Sequence, residues 1–442
     1  MAVASHDDLD VLRPGDADFD AVRPIAGARF AAVRPTAIAR CASAAQVATA
    51  IAYARSTDLP LALRSGGHCF AGRSTGPGVV IDVRPIHAVR VEGEYAIVGA
   101  GARLGEIYDA LAAHGRTFVA GCGTQVGIAG LVLGGGLGLL GRTHGLACDQ
   151  LVSAEVVLAD GSVVTCDAER DADLLWALRG AGGGQFGVVT TLTLRTVPEP
   201  QATVFRLAWP IEQAAELLAA WQTWSPDGPD ALAASVLVNA DATGARATVI
   251  GAMLASREET AAALAQLPGE PSTRRLHFGP YRAGKAWLVA ADEGGGDDGD
   301  HLHMRTRFFR DALPADAIAE LVDGLVRDRP RAEVRELDIS PWGGAYNRVQ
   351  ADATAFPHRA ERFLVKHSIA IAPPARPSEW LARSWAALAK WGTSSAYVNF
   401  PDPELADPGA AYHGPNLPRL RAIKARYDPD EVFSFPQSIA PG

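Results

Sequence analysis

The sequence predicts an α+β protein with two domains, the first of which is assembled from both ends of the chain. Up to Pro198, short apolar strands are interrupted by glycine-rich loops, whereas amphipathic helices alternate with strands after Pro200. The segment from Val432 to Ile439 is apolar, so we expect it to pack back onto the first domain. We therefore expect residues 1–198 and 401–442 to form the first domain and residues 199–400 to form the second.

Length and composition limit the classes of protein that this chain can belong to. Its 442 residues allow two large hydrophobic cores, and a hydrophobic content of 48% is ordinary for a globular protein. The net charge of −9 argues against partners such as nucleic acid or an anionic membrane. Because no signal peptide and no membrane-spanning run is visible, we expect a cytoplasmic location.

The cysteines do not indicate a disulfide framework or a zinc site. Their number, five, is odd, and none of them forms a C-x-x-C pair. No metal is therefore expected. Cys69 and Cys122 differ from the other three because they lie within glycine-rich loops.

The first part of the chain predicts short strands separated by helices and loops. Ser43 is the expected N-cap of a helix over Ala44–Arg55. Asp160-Gly161 is a strong hairpin signal between strands Ser153–Leu158 and Ser162–Cys166. Further strands are expected at Leu61–Arg64, Val79–Val83, Val89–Val91, Tyr95–Gly99 and Val188–Thr196, and helices at Gly105–His114 and Asp173–Arg179.

The second part predicts an open sheet with helices packed on one side. Strands are expected at Val204–Ala208, Ala234–Asn239, Ala247–Met253, Val334–Ile339 and Phe363–Ile371. Helices are expected at Ile211–Trp221, Glu258–Leu267, Ala315–Val326 and Ser378–Trp391. Glu293–Asp300 is expected to be a polar surface loop, and a helix is expected at Leu417–Tyr427.

The central glycine-rich stretch runs from Ala120 to Asp149 and contains ten glycines mixed with leucine and isoleucine. Such density favours backbone lying close against a flat or anionic group, and the alternative is a tight crossing of two buried elements. Gly134 to Gly138 partly match the dinucleotide fingerprint, but no clear helix and no convincing acidic residue follow. A nicotinamide-dependent dehydrogenase is therefore a weaker alternative.

A second glycine loop, Arg64 to Gly72, contains His68 directly after Ser65-Gly66-Gly67. Backbone N–H groups in such a loop can bind a pyrophosphate, which would bring the imidazole close to the rest of the bound molecule. An exposed loop histidine without a ligand is the simpler alternative. A third glycine run extends from Gly180 to Gly187.

Four ordered segments resemble the berberine-bridge-enzyme-like oxidases of the vanillyl-alcohol-oxidase superfamily. The similar segments are Arg64–His68 with Ala71-Gly72 and Val80–Val83; Val126–Gly130 with Gly134–Gly136 and Arg142–Leu146; Asp173–Gly180 with Phe186–Thr190; and Tyr427–Pro429 with Gln437–Ile439. The resemblance implies a bipartite FAD-binding domain with an inserted α+β substrate domain, whose antiparallel sheet is covered by helices.

The resemblance also implies which residues bind the cofactor. It assigns FAD binding to Arg64, Ser65, Gly66, Gly67, His68, Cys69, Ala71, Gly72, Gly121, Cys122, Gly123, Val126, Gly127, Gly130, Leu131, Gly135, Gly136, Gly138, Gly187, Val188, Val189 and Asn399. His68 is expected to carry the flavin covalently through the 8α-methyl carbon. Many relatives have a second bond from a cysteine, but the corresponding position here is Gly123. Cys122 is one position away, so we favour the single link.

The usual catalytic base of the family is absent. Where relatives carry Tyr-x-Asn-Tyr, this chain has Tyr397-Val398-Asn399-Phe400, and phenylalanine cannot take a proton. If this segment is extended, Tyr397 and Asn399 share one side and Phe400 faces the other. The candidate catalytic residues are therefore Tyr397 and Asn399, with His367 and Tyr346 as possible replacements for the base.

The resemblance implies an FAD-dependent oxidase that removes hydride from a C–H bond, most simply of an alcohol, and passes the electrons to O2. Relatives act on small molecules such as sugars and specialised metabolites. Within the enzymes, a dehydrogenase with another acceptor or a flavin-dependent cyclase or tailoring enzyme is the alternative. Because Phe400 cannot act as a base, a flavin-carrying binding protein without enzymatic activity is also an alternative.

Overall fold

A computed structural model describes residues 9–290 and 300–442 of the chain. The strands, numbered in chain order, are β1 Asp10–Leu12, β2 Ala37–Arg40, β3 Leu61–Arg64, β4 Val79–Asp82, β5 Val89–Glu92, β6 Tyr95–Gly99, β7 Arg116–Thr117, β8 Leu151–Val157, β9 Val163–Cys166, β10 Val188–Arg195, β11 Val197–Pro198, β12 Gln201–Pro210, β13 Leu232–Asp241, β14 Gly244–Met253, β15 Thr273–Pro280, β16 His301–Phe309, β17 Glu333–Pro341 and β18 Phe363–Ile371.

The α-helices are α1 Phe19–Val22, α2 Ala44–Ser56, α3 Leu104–Ala112, α4 Ile128–Leu133, α5 Gly141–His144, α6 Ala172–Leu178, α7 Ala214–Trp224, α8 Arg257–Leu264, α9 Tyr281–Ala290, α10 Ala315–Val326, α11 Ala345–Arg348, α12 Trp380–Ala387, α13 Pro408–His413 and α14 Leu417–Tyr427. Most expected elements are present with small shifts at their ends. The predicted loop Glu293–Asp300 lies outside the described residues, apart from Asp300.

Two larger sheets and the short pair β7-β11 form the described region up to Pro198. One has the order β1-β2-β4-β3, with β2 and β3 parallel to β4, and the other is antiparallel with the order β5-β6-β10-β8-β9. The expected cap of α2 is present, since the Ser43 hydroxyl accepts the Gln46 N–H at 3.3 Å. Both sheets share one hydrophobic core, to which Ile81, Val98 and Leu192 contribute.

The region after Pro200 contains a seven-stranded antiparallel sheet with the order β15-β12-β14-β13-β17-β18-β16. Helices α7, α10 and α12 pack on one face, as expected. The expectation that only one face carries a helix is wrong, because α9, which was not predicted, packs on the other face, where Leu288 contacts Val204 and Ala252. Strands β15 and β16 were not predicted. β15 is an edge strand whose residues are all partly or fully exposed, and β16 buries the charged Arg305 and Arg307 beside Trp385, so neither shows a simple alternation of polar and apolar residues.

The C-terminal segment returns to the first core. Phe433 and Ile439 are 2% and 3% exposed within it. The Lys424 ammonium donates to the carbonyls of Gln185 and Phe433 and to the Asp428 carboxylate, at 2.6 to 2.8 Å. These bonds attach α14 and the tail to the third glycine run. The division at residues 198 and 400 stays a prediction.

Over the ranges that the structure describes, no helix has the length and apolar composition needed to cross a bilayer.

Candidate functional site

A cavity of about 380 Å³ lies where the three glycine loops meet the C-terminal part of the chain. Its walls come from residues 61–70, 73–74, 83, 126–127, 129–131, 133, 136–137, 182–184, 187–189, 397–401 and 433–435. The first loop, the central glycine stretch and the third glycine run therefore serve one site, although they are far apart in the chain.

The first two loops cross with their backbones in direct contact at Gly66 and Gly127. A Cβ atom on Gly66 would lie 2.2 Å from the Gly127 nitrogen, and a Cβ on Gly127 would lie 2.1 Å from the Gly66 nitrogen. No side chain fits at either position. Both interpretations of the glycine-rich sequence therefore apply, because the loops cross tightly and also line a cavity.

Fifteen of the residues assigned to cofactor binding line this cavity. They are Arg64, Ser65, Gly66, Gly67, His68, Cys69, Val126, Gly127, Gly130, Leu131, Gly136, Gly187, Val188, Val189 and Asn399.

Seven assigned residues do not line it. They are Ala71, Gly72, Gly121, Cys122, Gly123, Gly135 and Gly138. For three of these positions the glycine is explained by packing, since an added Cβ would lie 2.6 Å from the Phe30 ring at Gly72, 3.0 Å from the Tyr397 ring at Gly135 and 2.6 Å from the Ala120 carbonyl oxygen at Gly138. The prediction did not separate such contacts from contacts with a cofactor.

Arg64 supports the first loop with its guanidinium group. That group is 1% exposed and donates to the carbonyls of Val22, Arg23 and Ser74 at 2.9 to 3.1 Å. Burial lowers the pKa of Arg64 to about 10, with Asp82 acting in the opposite direction. Arg64 therefore positions the backbone of the loop.

His68 lines the cavity and has a defined ring orientation. Its Nδ1 lies 2.9 Å from the carbonyl oxygen of Gly66. Neighbouring Ser65 is also fixed, since its hydroxyl donates to the Ala100 carbonyl at 2.7 Å. The histidine thus lies on a loop whose backbone is held from several directions.

Cys122 lies outside the cavity wall and is half-buried, next to Tyr108 and Lys285. Burial raises the pKa of the Cys122 thiol, and Lys285 only partly offsets this. The Lys285 Nζ lies 2.9 Å from the centre of the Tyr108 ring and has no hydrogen-bond partner among the described residues. Burial lowers the pKa of Lys285 to about 7. Nothing in this geometry favours a thiolate at Cys122 for a second flavin link.

The segment from Tyr397 to Phe400 is a turn, so the side assignments made for an extended strand are wrong. The Phe400 N–H donates to the Tyr397 carbonyl at 2.9 Å, and Tyr397, Asn399 and Phe400 all line the cavity. The Asn399 amide donates to the Leu131 carbonyl at 2.9 Å and to the Tyr397 hydroxyl at 3.2 Å. These bonds tie the turn to α4, and the turn brings all three residues to the cavity.

The Tyr397 hydroxyl is already engaged within the fold. It accepts the Gly136 N–H at 2.8 Å as well as the Asn399 amide. Burial raises the pKa of Tyr397 above its ordinary value. Tyr397 therefore suits a role in holding the glycine loop better than that of a base.

Tyr346 and His367 lie away from the cavity. Tyr346 is 3% exposed and donates its hydroxyl hydrogen to the Gly138 carbonyl at 3.2 Å, and burial raises its pKa. His367 is 0% exposed on the helix-covered face of the sheet, 2.9 Å from the Ser384 hydroxyl. Burial lowers the pKa of His367 to about 3. Neither position supports the predicted role as the base.

A charged cluster beside the cavity was missed by the sequence analysis. The Lys366 ammonium lies 3.2 Å from Glu336, 3.1 Å from Asp338 and 5.6 Å from the centre of the Phe400 ring. Although burial opposes its charge, the carboxylates of Asp338 and Glu336 raise the pKa of Lys366. The alternation of β18 was a usable signal, because Phe363, Val365 and Ile369 define an apolar face and Lys366 must lie on the opposite one.

The residues of the cavity fit a flavin dinucleotide. Glycine backbone and apolar side chains line most of it, and glycine loops can turn N–H groups toward phosphates. Ser74 lines the cavity, and its buried hydroxyl has no hydrogen-bond partner in the described parts of the chain. Buried polar atoms usually have a partner, and a bound molecule would be one way to supply it.

Comparisons with known proteins agree with this fit. Residues 35–167 match a family described as FAD binding domain, and residues 396–440 match one described as Berberine and berberine like. The chain is 32% identical to the uncharacterized FAD-linked oxidoreductase YgaK of Bacillus subtilis, over 89% of this chain and 88% of that protein. It is 30% identical to the xylooligosaccharide oxidase of Thermothelomyces thermophilus, over 86% of this chain and 82% of that protein.

The solved structure of 6-hydroxy-D-nicotine oxidase from Arthrobacter nicotinovorans superimposes with a TM-score of 0.88 at 29% identity, covering 98% of both chains. Fold, cavity and relatives define an FAD-linked oxidoreductase. The chain belongs to the berberine-bridge-enzyme-like family of these enzymes.

Proposed function

We propose that this enzyme is an FAD-dependent oxidase that removes hydride from a C–H bond of a small polar molecule and uses O2 as the electron acceptor. FAD held in this cavity would supply the hydride acceptor, its N5 atom, and would transfer the two electrons to O2 to give H2O2. The observation that carries the proposal is the charged cluster of Lys366, Asp338 and Glu336 next to a cavity suited to FAD.

The first and central glycine loops would hold the cofactor, with His68 as the site of covalent attachment. His68 lines the cavity on a loop that Arg64 and Ser65 hold in place. Ser74 lines the same cavity and has an unpartnered hydroxyl in the part of the chain that the structure describes. A single covalent link follows, because Cys122 is outside the cavity wall.

The charged cluster would bind the polar group of the substrate and receive its proton. Oxidation of an alcohol leaves positive charge on the substrate unless the O–H proton departs, so a proton acceptor is needed nearby. Lys366 stays an ammonium because its pKa is raised, and it can donate to the substrate oxygen. The carboxylates of Asp338 and Glu336 are the acceptors beside it, in place of the phenol that Phe400 lacks.

Oxidation of an amine is a second candidate, and Phe400 favours it. The lone pair of a neutral amine nitrogen stabilises the positive charge left by hydride, so no base is needed at that step. The relative with a TM-score of 0.88 is named for a nicotine-type substrate, and the other named relative for an oligosaccharide. Both substrate classes therefore belong in one screen.

The test is a measurement of oxygen consumption and H2O2 by the purified yellow protein with a panel of oligosaccharides, alcohols and cyclic amines. One H2O2 formed per O2 consumed with one class of substrate is the expected result. Flavin that is bleached by a substrate but not re-oxidised by O2 would show that the enzyme is a dehydrogenase with another electron acceptor and not an oxidase. Flavin that no member of the panel bleaches, but which O2 re-oxidises after photoreduction, would favour a flavin-carrying binding protein.

Covalent attachment is tested separately by acid precipitation. Yellow colour is expected in the pellet of the wild type and in the supernatant of His68→Ala. His114→Ala is a suitable control, because His114 is exposed and does not line the cavity.

A further inference from the structure

We infer that Asp338, and not Glu336, accepts the substrate proton, and that the hydroxyl groups of Ser340 and Ser235 carry this proton away from the site. The inference rests on the proposed oxidation of an alcohol. It adds which of the two carboxylates in the charged cluster acts, and by which path its proton leaves.

All four oxygen atoms of the two carboxylates have a partner, and the partners differ. One oxygen of each faces the Lys366 ammonium, Asp338 Oδ2 at 3.1 Å and Glu336 Oε1 at 3.2 Å. The second oxygen of Glu336, Oε2, accepts the Asn239 amide N–H at 3.2 Å. The second oxygen of Asp338, Oδ1, accepts the Ser340 hydroxyl at 3.1 Å.

These partners decide which carboxylate can take a proton without losing a hydrogen bond. An ammonium and an amide N–H can only donate, so a proton on either oxygen of Glu336 would face another hydrogen. Asn239 is 7% exposed, so its amide cannot turn over as freely as a hydroxyl rotates. A hydroxyl both donates and accepts, so Ser340 can turn its O–H away and accept a proton held on Asp338 Oδ1. Protonation therefore costs a hydrogen bond at Glu336 and none at Asp338.

The Ser340 hydroxyl is in turn connected to Ser235 on the neighbouring strand β13. The two hydroxyl oxygens are 3.2 Å apart, and either can be the donor. Because β17 lies between β13 and β18, the path from Asp338 through Ser340 to Ser235 leads away from Lys366 and from the substrate that it would bind. Ser235 is half-buried, so solvent can receive the proton at the end of this path.

The proton transfer balances with the proposed hydride transfer. The substrate O–H bond breaks, its proton forms an O–H bond with Asp338 Oδ1, and its electron pair forms the second bond of the carbonyl product. The electron pair of the C–H bond leaves with its hydrogen as the hydride that FAD would accept. The proton then passes through the hydroxyl groups to water, so Asp338 is again a carboxylate before the next turnover.

The choice between the carboxylates is tested with two isosteric variants of the full-length, flavin-loaded enzyme, Asp338→Asn and Glu336→Gln. Each removes one negative charge beside Lys366, so the loss of charge alone affects both alike. With the alcohol or sugar that the panel identifies, we expect kcat/KM to fall by at least about 100-fold in Asp338→Asn and by about tenfold or less in Glu336→Gln.

The pH profile of kcat/KM gives a second readout of the same two variants. Its acidic limb reports the base of the free enzyme, so it should disappear in Asp338→Asn and persist in Glu336→Gln. Lys366 and Glu336 are the charged groups that the ion pairs bring next to Asp338. The reverse pattern, or an acidic limb that is lost in both variants or in neither, would overturn the choice of Asp338.

The role of Ser340 as a positioning residue is tested with Ser340→Ala. This variant takes a donor from the Asp338 carboxylate and so weakens its anionic form, which should move the acidic limb to higher pH by about one unit. Ser340→Thr keeps a hydroxyl and suits a strand, so it should restore the profile. Asn239→Ala is the matched control, because it removes the donor of Glu336 and should leave the limb in place. A limb that stays in place in Ser340→Ala would contradict this role.

The path through Ser235 is tested by measuring kcat in mixtures of H2O and D2O. In the wild type we expect a curved dependence on the fraction of D2O, because several protons move together. In Ser235→Ala, which interrupts the path, the dependence should be linear and kcat should be lower. The same dependence in both proteins would overturn the relay.

Two outcomes separate this inference from the function on which it rests. If the panel shows oxidation of amines only, or of no compound, the inference falls together with the oxidation of an alcohol. If the wild type and Asp338→Asn oxidise an alcohol equally well, the oxidase stands and the inference alone is overturned.

Discussion

The two faces of the seven-stranded sheet have opposite chemistry although the same strands form both. The helix-covered face presents Leu337, Ile339, Val365 and Ile369, each at most 3% exposed. One residue away on the same strands, the other face carries Glu336, Asp338 and Lys366, joined by ion pairs. One face belongs to the hydrophobic core, and the other presents charges beside Phe400 of the candidate site.

The contrast extends to two lysines on the site-facing side of the molecule. Lys366 has two carboxylates within 3.2 Å, and they raise its pKa. Lys285, on α9, contacts two tyrosine rings, and no carboxylate of residues 9–290 or 300–442 is within hydrogen-bonding distance of it. Burial lowers its pKa to about 7. A buried ammonium is retained only where an anion accompanies it. Lys366 therefore keeps its positive charge near neutral pH, whereas the charged form of Lys285 lowers the stability of the folded state.

The largest effect is expected on the helix-covered face, for Leu337→Ala. Leu337 is 0% exposed, so its truncation should lower the free energy of unfolding by about 3 kcal/mol. Urea denaturation measures this loss, and activity per bound flavin should not change. Val326→Ala, at a residue 43% exposed, is the control and should stay within about 0.5 kcal/mol. Activity per flavin that fell with Leu337→Ala would mean that the two faces are not independent.

On the site-facing side, Lys366→Met should lower kcat/KM by about 100-fold, because it removes a charged donor from the reacting centre. The measurement is steady-state turnover with the substrate found in the panel, together with flavin content by absorbance. Flavin content should be retained, since Lys366 is not part of the cavity wall. An unchanged kcat/KM would show that the charged cluster has no role in turnover.

Lys285 is expected to make the free energy of unfolding depend on pH, with an effect of intermediate size. Because the pKa of Lys285 is lowered to about 7 in the folded state, the unfolded chain binds more protons than the folded one between pH 7 and its ordinary value. Stability should therefore rise with pH above 7, by up to about 1.4 kcal/mol per pH unit from this group. Below pH 7, Lys285 is protonated in both the folded and the unfolded chain, so the destabilisation by its buried charge is then at its full size.

Lys285→Met should remove this contribution to the slope and raise stability at pH 7. The measurement is urea denaturation from pH 6.5 to 9, with Lys390→Met as the control because Lys390 is exposed. Parallel pH profiles for wild type and Lys285→Met would show that the amine is not desolvated in solution.

The smallest effect is expected for His367→Gln, the immediate neighbour of Lys366. It loses the hydrogen bond to Ser384, at a cost of about 1 kcal/mol, and kcat/KM should stay within about twofold. This variant is also the matched control for Lys366→Met. A loss of turnover similar to that of Lys366→Met would show that His367 takes part in catalysis.

Much of the fold follows from local pattern. The Ser43 cap, the hairpin at Asp160-Gly161 and the strand Phe363–Ile371 depend on neighbouring residues, and each was predicted. Strand β16 was not, because Arg305 and Arg307 are buried through stacking on Trp385, a partner far along the chain.

The site was only partly predictable for a similar reason. The residues of the first glycine loop were found by resemblance, whereas the turn at Tyr397–Phe400 depends on hydrogen bonds to Leu131 and within the turn itself. His367 was predicted as a base from the ordinary pKa of an imidazole, and Lys366 was not predicted at all. Alternation along the strand separates the two residues, but only the packed helices show which face is covered.

The bonds made by Lys424 have a consequence for the order of biosynthesis. Residues 433–435 and 397–401 form walls of the same cavity as residues 61–70, which leave the ribosome much earlier. Until α14 has been made, Gln185 has no Lys424 to bind and one side of the cavity is open to water. We therefore expect nascent chains that end before Leu417 to remain colourless, and flavin loading to follow release of the finished polypeptide.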